Sequence, residues 1–204
     1  ADVNVPLLVE EHNGIARTGE VVCAGVPFAV GTVYDTDIAN LRVEDGGGNP
    51  APAQFQVLSR WWSPRYDDSI RWLLVTFPAS AGAHATATYT VKTGTNVAPA
   101  KPVRVIPEAG LTTVDTGTIK AVINASSFRL FDAVWLDVNA DGQYDAGEKV
   151  VQAAPGDGLV ITSGDWSAMG IGAGDLFRAS AGAATVTVEE SGPIRAVVCI
   201  SGTF

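Results

Sequence analysis

Oxygen-bearing side chains recur at short intervals between residues 137 and 148, in the segment DVNADGQYDAGE. Calcium takes roughly six to eight oxygen ligands at about 2.3–2.6 Å, and a single loop can supply them from fixed positions. The segment matches the calcium-loop pattern throughout, with glycine at the sixth position, where such a loop turns sharply. The sequence therefore predicts a Ca2+ site, and the alternative is a solvated acidic turn without an ion. The predicted ligands are Asp137, Asn139, Asp141, Gln143 (through its backbone carbonyl), Asp145 and Glu148.

The segments on either side of this loop indicate what kind of calcium site it is. A helix–loop–helix site needs apolar residues at helical spacing on both sides. Residues 128–136 are instead rich in aromatic and β-branched residues, and the exit at residues 149–152 runs into the breaker sequence AAPGDG. We therefore expect the loop to join two β-strands, with the ion acting as a structural clip rather than as a sensor.

Aromatic residues near the middle of the first half form a second group with recognisable chemistry. Sugar rings stack their apolar faces on aromatic side chains, so Trp61, Trp62 and Tyr66 are candidate carbohydrate contacts. Neighbouring residues of a strand face opposite sides, so at most one of the two adjacent tryptophans faces solvent. The alternative is packing in a core or hairpin, which we also expect for Trp72.

Groups that could catalyse a reaction are not clustered in the sequence. His12 and His84 lie in turn-like segments, without a cysteine or acidic partner at zinc-ligand spacing. The carboxylates of Glu10 and Glu11 would point to opposite faces of a strand, so they would not act as a glycoside-cleaving pair. The sequence therefore predicts a protein that is not an enzyme.

Two cysteines, Cys23 and Cys199, lie in strand-like runs near opposite ends of the sequence. In an oxidising compartment they could form one disulfide that closes a long loop. The alternative is two unrelated buried thiols that behave as small apolar residues. Sequence spacing leaves both alternatives open, because it gives no geometry.

Charge and composition limit the partners of this chain. Acidic residues outnumber basic ones by 22 to 13, and only four of the 204 residues are lysines. No basic patch indicates nucleic acid or an anionic lipid surface, and no apolar run approaches the ~20 residues of a membrane span. The sequence begins at Ala1 rather than at methionine, as a processed mature protein would. We expect an extracellular or cell-surface protein.

Short runs of β-branched or alternating residues, separated by turn residues, fill the sequence from end to end. No segment has the apolar stripe of an amphipathic helix. Residues 94–102, GTNVAPAKP, contain prolines that favour an extended linker. The sequence therefore predicts an all-β protein with two units, at residues 1–95 and 102–204.

The order of several short motifs resembles a known family. They include VVCAGVPF at residues 21–28, DSIRWLLVTF at 68–77, FRLFDAVWLD at 128–137 and VEESGPIRAVV at 188–198. This order resembles the N-terminal RIFT-type β-barrel and the start of the central β-sandwich of the exo-rhamnogalacturonan lyase-like proteins. The resemblance implies a barrel in residues 1–95 and an incomplete sandwich in residues 102–204.

Members of that family continue into an α/α toroid, where the resemblance would place catalysis, so it assigns no catalytic residue to this chain. A sandwich that stops at Phe204 would expose unpaired strand edges, which are templates for another chain's strand. We therefore expect copies of this chain to associate by strand complementation into a filament, with residues 3–9 as the donor strand. The alternative is an ancillary module of a polysaccharide lyase that contacts the polysaccharide.

Overall fold

The structure is a computed structural model that describes residues 2–62, 68–162 and 176–203. The chain divides into two compact units, Ala1–Ala100 and Lys101–Phe204. Strands account for 51% of the described residues and helical segments for 5%, which confirms the all-β class. The barrel and sandwich assignments stay predictions. No helix in the described ranges is long and apolar enough to cross a membrane. The helical segments in those ranges are α1 (Asp35–Ile38) and two 3₁₀ turns, Ala146–Glu148 and Ala179–Ala181.

The described strands of the first unit form two antiparallel sheets. These strands are β1 (Asn4–Glu10), β2 (Arg17–Pro27), β3 (Leu41–Asp45), β4 (Pro50–Ala51), β5 (Gln54–Arg60), β6 (Ile70–Ala81) and β7 (Thr86–Thr93). The larger sheet has the order β1-β7-β3-β4, and the smaller has the order β2-β6-β5.

Both sheets contribute side chains to the core of the first unit. In β6, alternate residues face opposite sides, and Leu73, Val75 and Phe77 on the inner side are at most 1% exposed. The ring of Phe77 lies 5.0 Å from that of Tyr89 on β7, measured between centroids. Our expectation that Trp72 packs in the core was wrong, because the alternation that buries Leu73 turns Trp72 outward, where it is 39% exposed.

The N-terminal strand β1 pairs with β7 of its own chain. The antiparallel register runs from Asn4 opposite Lys92 to Glu10 opposite Thr86. Alternate β1 side chains pack against the core of the first unit. The segment that we expected to be a donor strand is thus used within its own unit. β1 is also the end strand of its sheet, so no described strand pairs with its outer edge.

The second unit contains smaller sheets. Its described strands are β8 (Arg104–Glu108), β9 (Leu111–Asp115), β10 (Ile119–Asn124), β11 (Ala133–Leu136), β12 (Lys149–Gln152), β13 (Val160–Thr162), β14 (Leu176–Arg178), β15 (Thr185–Ser191) and β16 (Ala196–Ser201). A five-stranded sheet has the order β12-β11-β10-β9-β8, and two hairpins pair β13 with β14 and β15 with β16. All of these pairings are antiparallel.

The core of the second unit is thin. Among the described residues its buried members are Ile123, Phe128 and Ala179, with partly buried side chains of β15 and β16 packed against them. The first unit has fourteen buried core residues by the same measure. Most of the hydrophobic stabilisation from described residues therefore lies in the first unit, because this stabilisation scales with the apolar area removed from water.

The two cysteines lie in different units. Cys23 is on β2 and Cys199 is on β16, and both side chains are exposed. The Cys23 sulfur lies 3.3 Å from the hydroxyl oxygen of Thr76 on the neighbouring strand. Neither thiol is buried, contrary to the second alternative, and the disulfide stays a prediction.

Candidate calcium site

The predicted calcium loop connects β11 to β12, which are antiparallel neighbours in the five-stranded sheet. Trp135 lies opposite Lys149 across the two strands, and the loop ends in the 3₁₀ turn Ala146–Glu148. The prediction that strands rather than helices flank the loop is confirmed. An ion in this loop would therefore join two adjacent strands.

Asp137 lies at the base of the loop and is 6% exposed. Its Oδ1 atom accepts a hydrogen bond from the backbone N–H of Asp141, and its Oδ2 atom accepts one from the N–H of Gly142, both at 3.1 Å. Gly142 has a φ of 79°, in the left-handed region that glycine adopts without strain. The predicted sharp turn at the sixth position is thus present, and it folds the loop back over the first carboxylate.

Asn139 and Asp141 continue this turn with side chains that accept backbone hydrogen bonds. The Asn139 Oδ1 atom accepts from the Asp141 N–H at 2.9 Å, so the side-chain oxygens of Asn139 and Asp137 converge on one donor. The Asp141 Oδ1 atom accepts from the N–H of Gln143 at 2.8 Å. In the first half of the loop, side-chain oxygens of three predicted ligands therefore accept hydrogen bonds from three consecutive backbone N–H groups, those of residues 141–143.

Glu148 closes the loop from its other end, and it is also 6% exposed. Its two carboxylate oxygens accept hydrogen bonds from the N–H groups of Val138 and Asp145, each at 3.1 Å. One side chain thus joins the second, ninth and twelfth positions of the loop. Asp145 and Gln143, the remaining predicted ligands, have exposed side chains.

The donor set of this loop suits a hard cation. Side-chain and backbone oxygens are the ligands that calcium prefers, and no sulfur or imidazole ligand competes in the segment. A carboxylate oxygen that accepts one N–H retains a further lone pair. In the described ranges, however, no three His, Cys, Asp or Glu side chains converge closely enough to hold a metal. The calcium ligands therefore stay a prediction, and binding would require the ligand side chains to move closer together.

Tyr144 fastens the loop to the sheet, a role that the sequence analysis missed. Its hydroxyl donates a hydrogen bond to the Oδ1 atom of Asp115 on β9, at 2.5 Å. Burial raises the pKa of Tyr144 above its ordinary value, and the Asp115 carboxylate raises it further. The available signal was an aromatic residue inside an otherwise polar loop. Its partner lies 29 residues away, however, and no local pattern points to it.

Charged and aromatic residues form a row across the sheet beside the loop. The Lys120 ammonium lies 4.3 Å from the centroid of the Trp135 ring and 4.6 Å from that of Tyr144, and the Lys149 ammonium lies 4.7 Å from the Trp135 ring. Such cation–π contacts contribute about 0.5–1 kcal/mol each at exposed sites. The row, in strand order from β8 to β12, is Arg104, Asp115, Lys120, Trp135 and Lys149.

The candidate carbohydrate contacts are in different environments. Trp62 is 86% exposed. Trp61 is partly buried, donates its indole N–H to the backbone oxygen of Phe28 at 2.9 Å, and has the Arg71 guanidinium 4.8 Å from its ring centroid. The prediction that only one of the two tryptophans faces solvent is confirmed. Tyr66 lies outside the described residues.

A loop in the first unit is also organised by a buried carboxylate. Glu11 accepts backbone hydrogen bonds from Asn13 and Gly14 at 2.8 Å, from His84 at 3.0 Å and from Ile15 at 3.1 Å. These donors, led by the N–H of His84, lower the pKa of the Glu11 carboxyl. Glu11 is buried whereas Glu10, the last residue of β1, is exposed. The Glu11 loop is thus completed by protein groups alone.

No protein-family model and no curated protein matches this chain. The resemblance to exo-rhamnogalacturonan lyase-like proteins therefore stays a prediction from the residues.

Proposed function

We propose that this chain is a non-catalytic, extracellular structural protein. In this proposal Ca2+ clips β11 to β12 in the second unit, and copies of the chain associate along exposed strand edges. The observation that carries the calcium part is the burial of Asp137 and Glu148 at opposite ends of one loop.

Two buried carboxylates in one loop favour a bound cation. A charge removed from water costs several kcal/mol unless hydrogen bonds or an opposite charge compensate it. Backbone N–H groups supply two hydrogen bonds to each carboxylate, and the Lys101 ammonium, 3.4 Å from Asp137, adds a positive charge. Asp141 and Asp145 add two more negative charges within the same twelve residues. A divalent cation would neutralise this excess while binding the oxygen types it prefers.

The calcium proposal is tested by comparing melting temperatures with and without a chelator. A ligand that binds only the folded state stabilises it by about 2.7 kcal/mol at one hundred times its Kd. We expect chelation to lower the melting temperature of the wild-type protein, and Asp137→Ala and Asp141→Ala to abolish that response. Glu108→Ala, which removes an exposed carboxylate from β8, is the matched control and should respond like the wild type. An unchanged wild-type melting curve would refute the calcium clip.

The self-assembly part is supported by the β12 edge. Among the described strands β12 lies at the end of its sheet, all four of its residues are exposed, and Val150 is 55% exposed. Exposed apolar edge strands are templates for pairing with another chain.

An apolar pocket of about 170 Å³ also opens near the thin core of the second unit, lined in part by Phe128, Leu159 and Ile200. An engineered cavity of about 150 Å³ holds benzene, so this pocket has room for a large apolar side chain.

The complementary surface on the next copy is the outer edge of β1. No described strand pairs with that edge, and Leu8 of β1 is 65% exposed. Pairing the β1 edge of one copy with the β12 edge of the next would not require β1 to leave β7. Because the two edges are different surfaces, the contact is heterologous and propagates head to tail.

Sedimentation over a range of protein concentrations, together with negative-stain imaging, tests this assembly. We expect wild-type protein to form concentration-dependent chains, and Val150→Lys and Leu8→Lys each to stop chain growth. A mixture of the two variants should yield dimers and no longer species, because only one intact edge pair remains. Ile15→Lys, at an apolar loop residue that is 57% exposed, is the control and should assemble normally. A wild-type monomer at every concentration would rule out self-assembly.

The exposure of Trp62 favours a second candidate function, an ancillary module that contacts polysaccharide in a lyase. A solvent-facing indole is a suitable stacking surface for a sugar ring. We expect Trp62→Ala to abolish retention on pectic polysaccharide under this alternative, whereas Leu58→Ala, at another exposed apolar position, should leave it unchanged. Equal retention of wild type and Trp62→Ala would exclude this role for Trp62.

A further inference from the structure

Lys101 contacts Asp137, one of the two buried carboxylates of the calcium loop. Its ammonium nitrogen lies 3.4 Å from the Oδ2 atom of Asp137, whose side chain is 1% exposed, while the Lys101 side chain is 47% exposed. The same Oδ2 atom accepts the hydrogen bond from Gly142. A lysine with about half of its side chain exposed therefore forms an ion pair with the first predicted calcium ligand.

The position of Lys101 is fixed by a glycine on the neighbouring turn. Gly117 has a φ of 75°, and a side-chain carbon there would lie 2.7 Å from the Cβ atom of Lys101. Only glycine leaves room for the lysine stem to cross this turn. The turn itself is held by Asp115, which accepts the N–H of Gly117 at 2.8 Å and also the hydroxyl of Tyr144. The residues that attach the loop to the sheet thus also position Lys101.

We propose that Lys101 is the internal counter-ion of the ion-free loop and competes with Ca2+ for Asp137. This inference rests on the proposed calcium site and concerns its regulation. A calcium ion bound to Asp137 at about 2.3–2.6 Å would lie close to the ammonium, and two cations repel at that separation. Binding of the ion therefore displaces the Lys101 side chain toward water. Lys101 sets the calcium affinity lower than the oxygen ligands alone would give, while it stabilises the loop when calcium is absent.

Calorimetric titration of the full chain with Ca2+ and melting in chelator test the two sides of this role. We expect Lys101→Met to bind Ca2+ more tightly than wild type, on the order of 10-fold, and to melt at a lower temperature in chelator. Lys101→Arg keeps the charge and should stay within about threefold of the wild-type affinity. Lys149→Met removes the same charge beside the loop, but Lys149 contacts Gln152 and Trp135 rather than a loop carboxylate, so its affinity should change little.

The outcomes separate this inference from the calcium proposal. If wild type binds Ca2+ and Lys101→Met binds it with equal or weaker affinity, the competing role of Lys101 is overturned and the calcium site stands. If only Lys101→Met binds Ca2+, Lys101 blocks the site and the calcium function of the wild-type chain is overturned. If neither binds, both are overturned. If Lys149→Met raises the Ca2+ affinity by a similar factor, the gain comes from removing any positive charge near the loop. That result would overturn the specific role of Lys101.

Discussion

The described parts of the two units bury very different amounts of apolar side chain. Fourteen buried residues form the core cluster of the first unit, whereas the core cluster in the described part of the second unit has three. The second unit also leaves large apolar side chains exposed on β12 and on the hairpin of β13 and β14. The first unit can be stable through its own core, and the second would gain more from an ion and a partner strand.

The Glu11 loop of the first unit and the calcium loop of the second differ in how their negative charge is compensated. Glu11 receives four backbone hydrogen bonds within the first unit. The calcium loop places two buried carboxylates, Asp137 and Glu148, beside two exposed ones. Protein groups complete the first arrangement, while the second keeps an excess of negative charge. We therefore expect an external cation to matter for the calcium loop rather than for the Glu11 loop.

The largest loss of stability should come from removing a large apolar side chain from the core of the first unit. Phe77→Ala removes a side chain that is 1% exposed and should lower the free energy of unfolding of that unit by about 3–5 kcal/mol. Phe128→Ala in the thin core should cost about 2 kcal/mol or less, because partly exposed neighbours can move into the space. Hydrogen exchange of peptides from β6 and from β15 and β16 measures the two effects separately. Equal losses of unfolding free energy in the two units would contradict the difference between their cores.

The sequence predicted the features that depend on local pattern. The sharp turn at Gly142 and the strands that flank the loop were predictable because the residue types and their spacing lie within one short segment. Burial of Trp72 was predicted wrongly because the sequence does not specify which face of β6 lies inside. The contacts that fasten the loops were missed because they join distant residues: 29 apart for Tyr144 and Asp115, 36 for Lys101 and Asp137, and 73 for Glu11 and His84. Those pairs depend on strand register, which a single sequence does not specify.

Acid should weaken the first unit through Glu11. Because the folded-state pKa of Glu11 is lowered, its stabilisation is complete above the unfolded value of about 4.3 and is lost as the pH falls through the folded value. Unfolding of the first unit, followed by hydrogen exchange between about pH 7 and pH 3, should show this loss. Glu11→Gln should flatten the profile and lower stability at neutral pH.

Glu20→Gln is the matched control for this pH dependence. Glu20 is an exposed glutamate paired with Arg17 at 3.1 Å, and exposed ion pairs contribute little. The control should keep the wild-type profile. A wild-type profile in Glu11→Gln as well would assign the acid sensitivity to other carboxylates.

The smallest loss of stability should come from a substitution in the turn of the calcium loop. This substitution changes the backbone conformation without changing the charge. Gly142 has a positive φ and no atom near the position of an added side-chain carbon, so Gly142→Ala adds strain without a clash. We expect a loss of about 1–2 kcal/mol in the second unit, measured in chelator so that ion binding does not contribute. Gly147 lies in the 3₁₀ turn of the same loop, also with open space around it but without a positive φ. Gly147→Ala should therefore be neutral, and an equal loss in both variants would show that the left-handed turn at Gly142 does not limit stability.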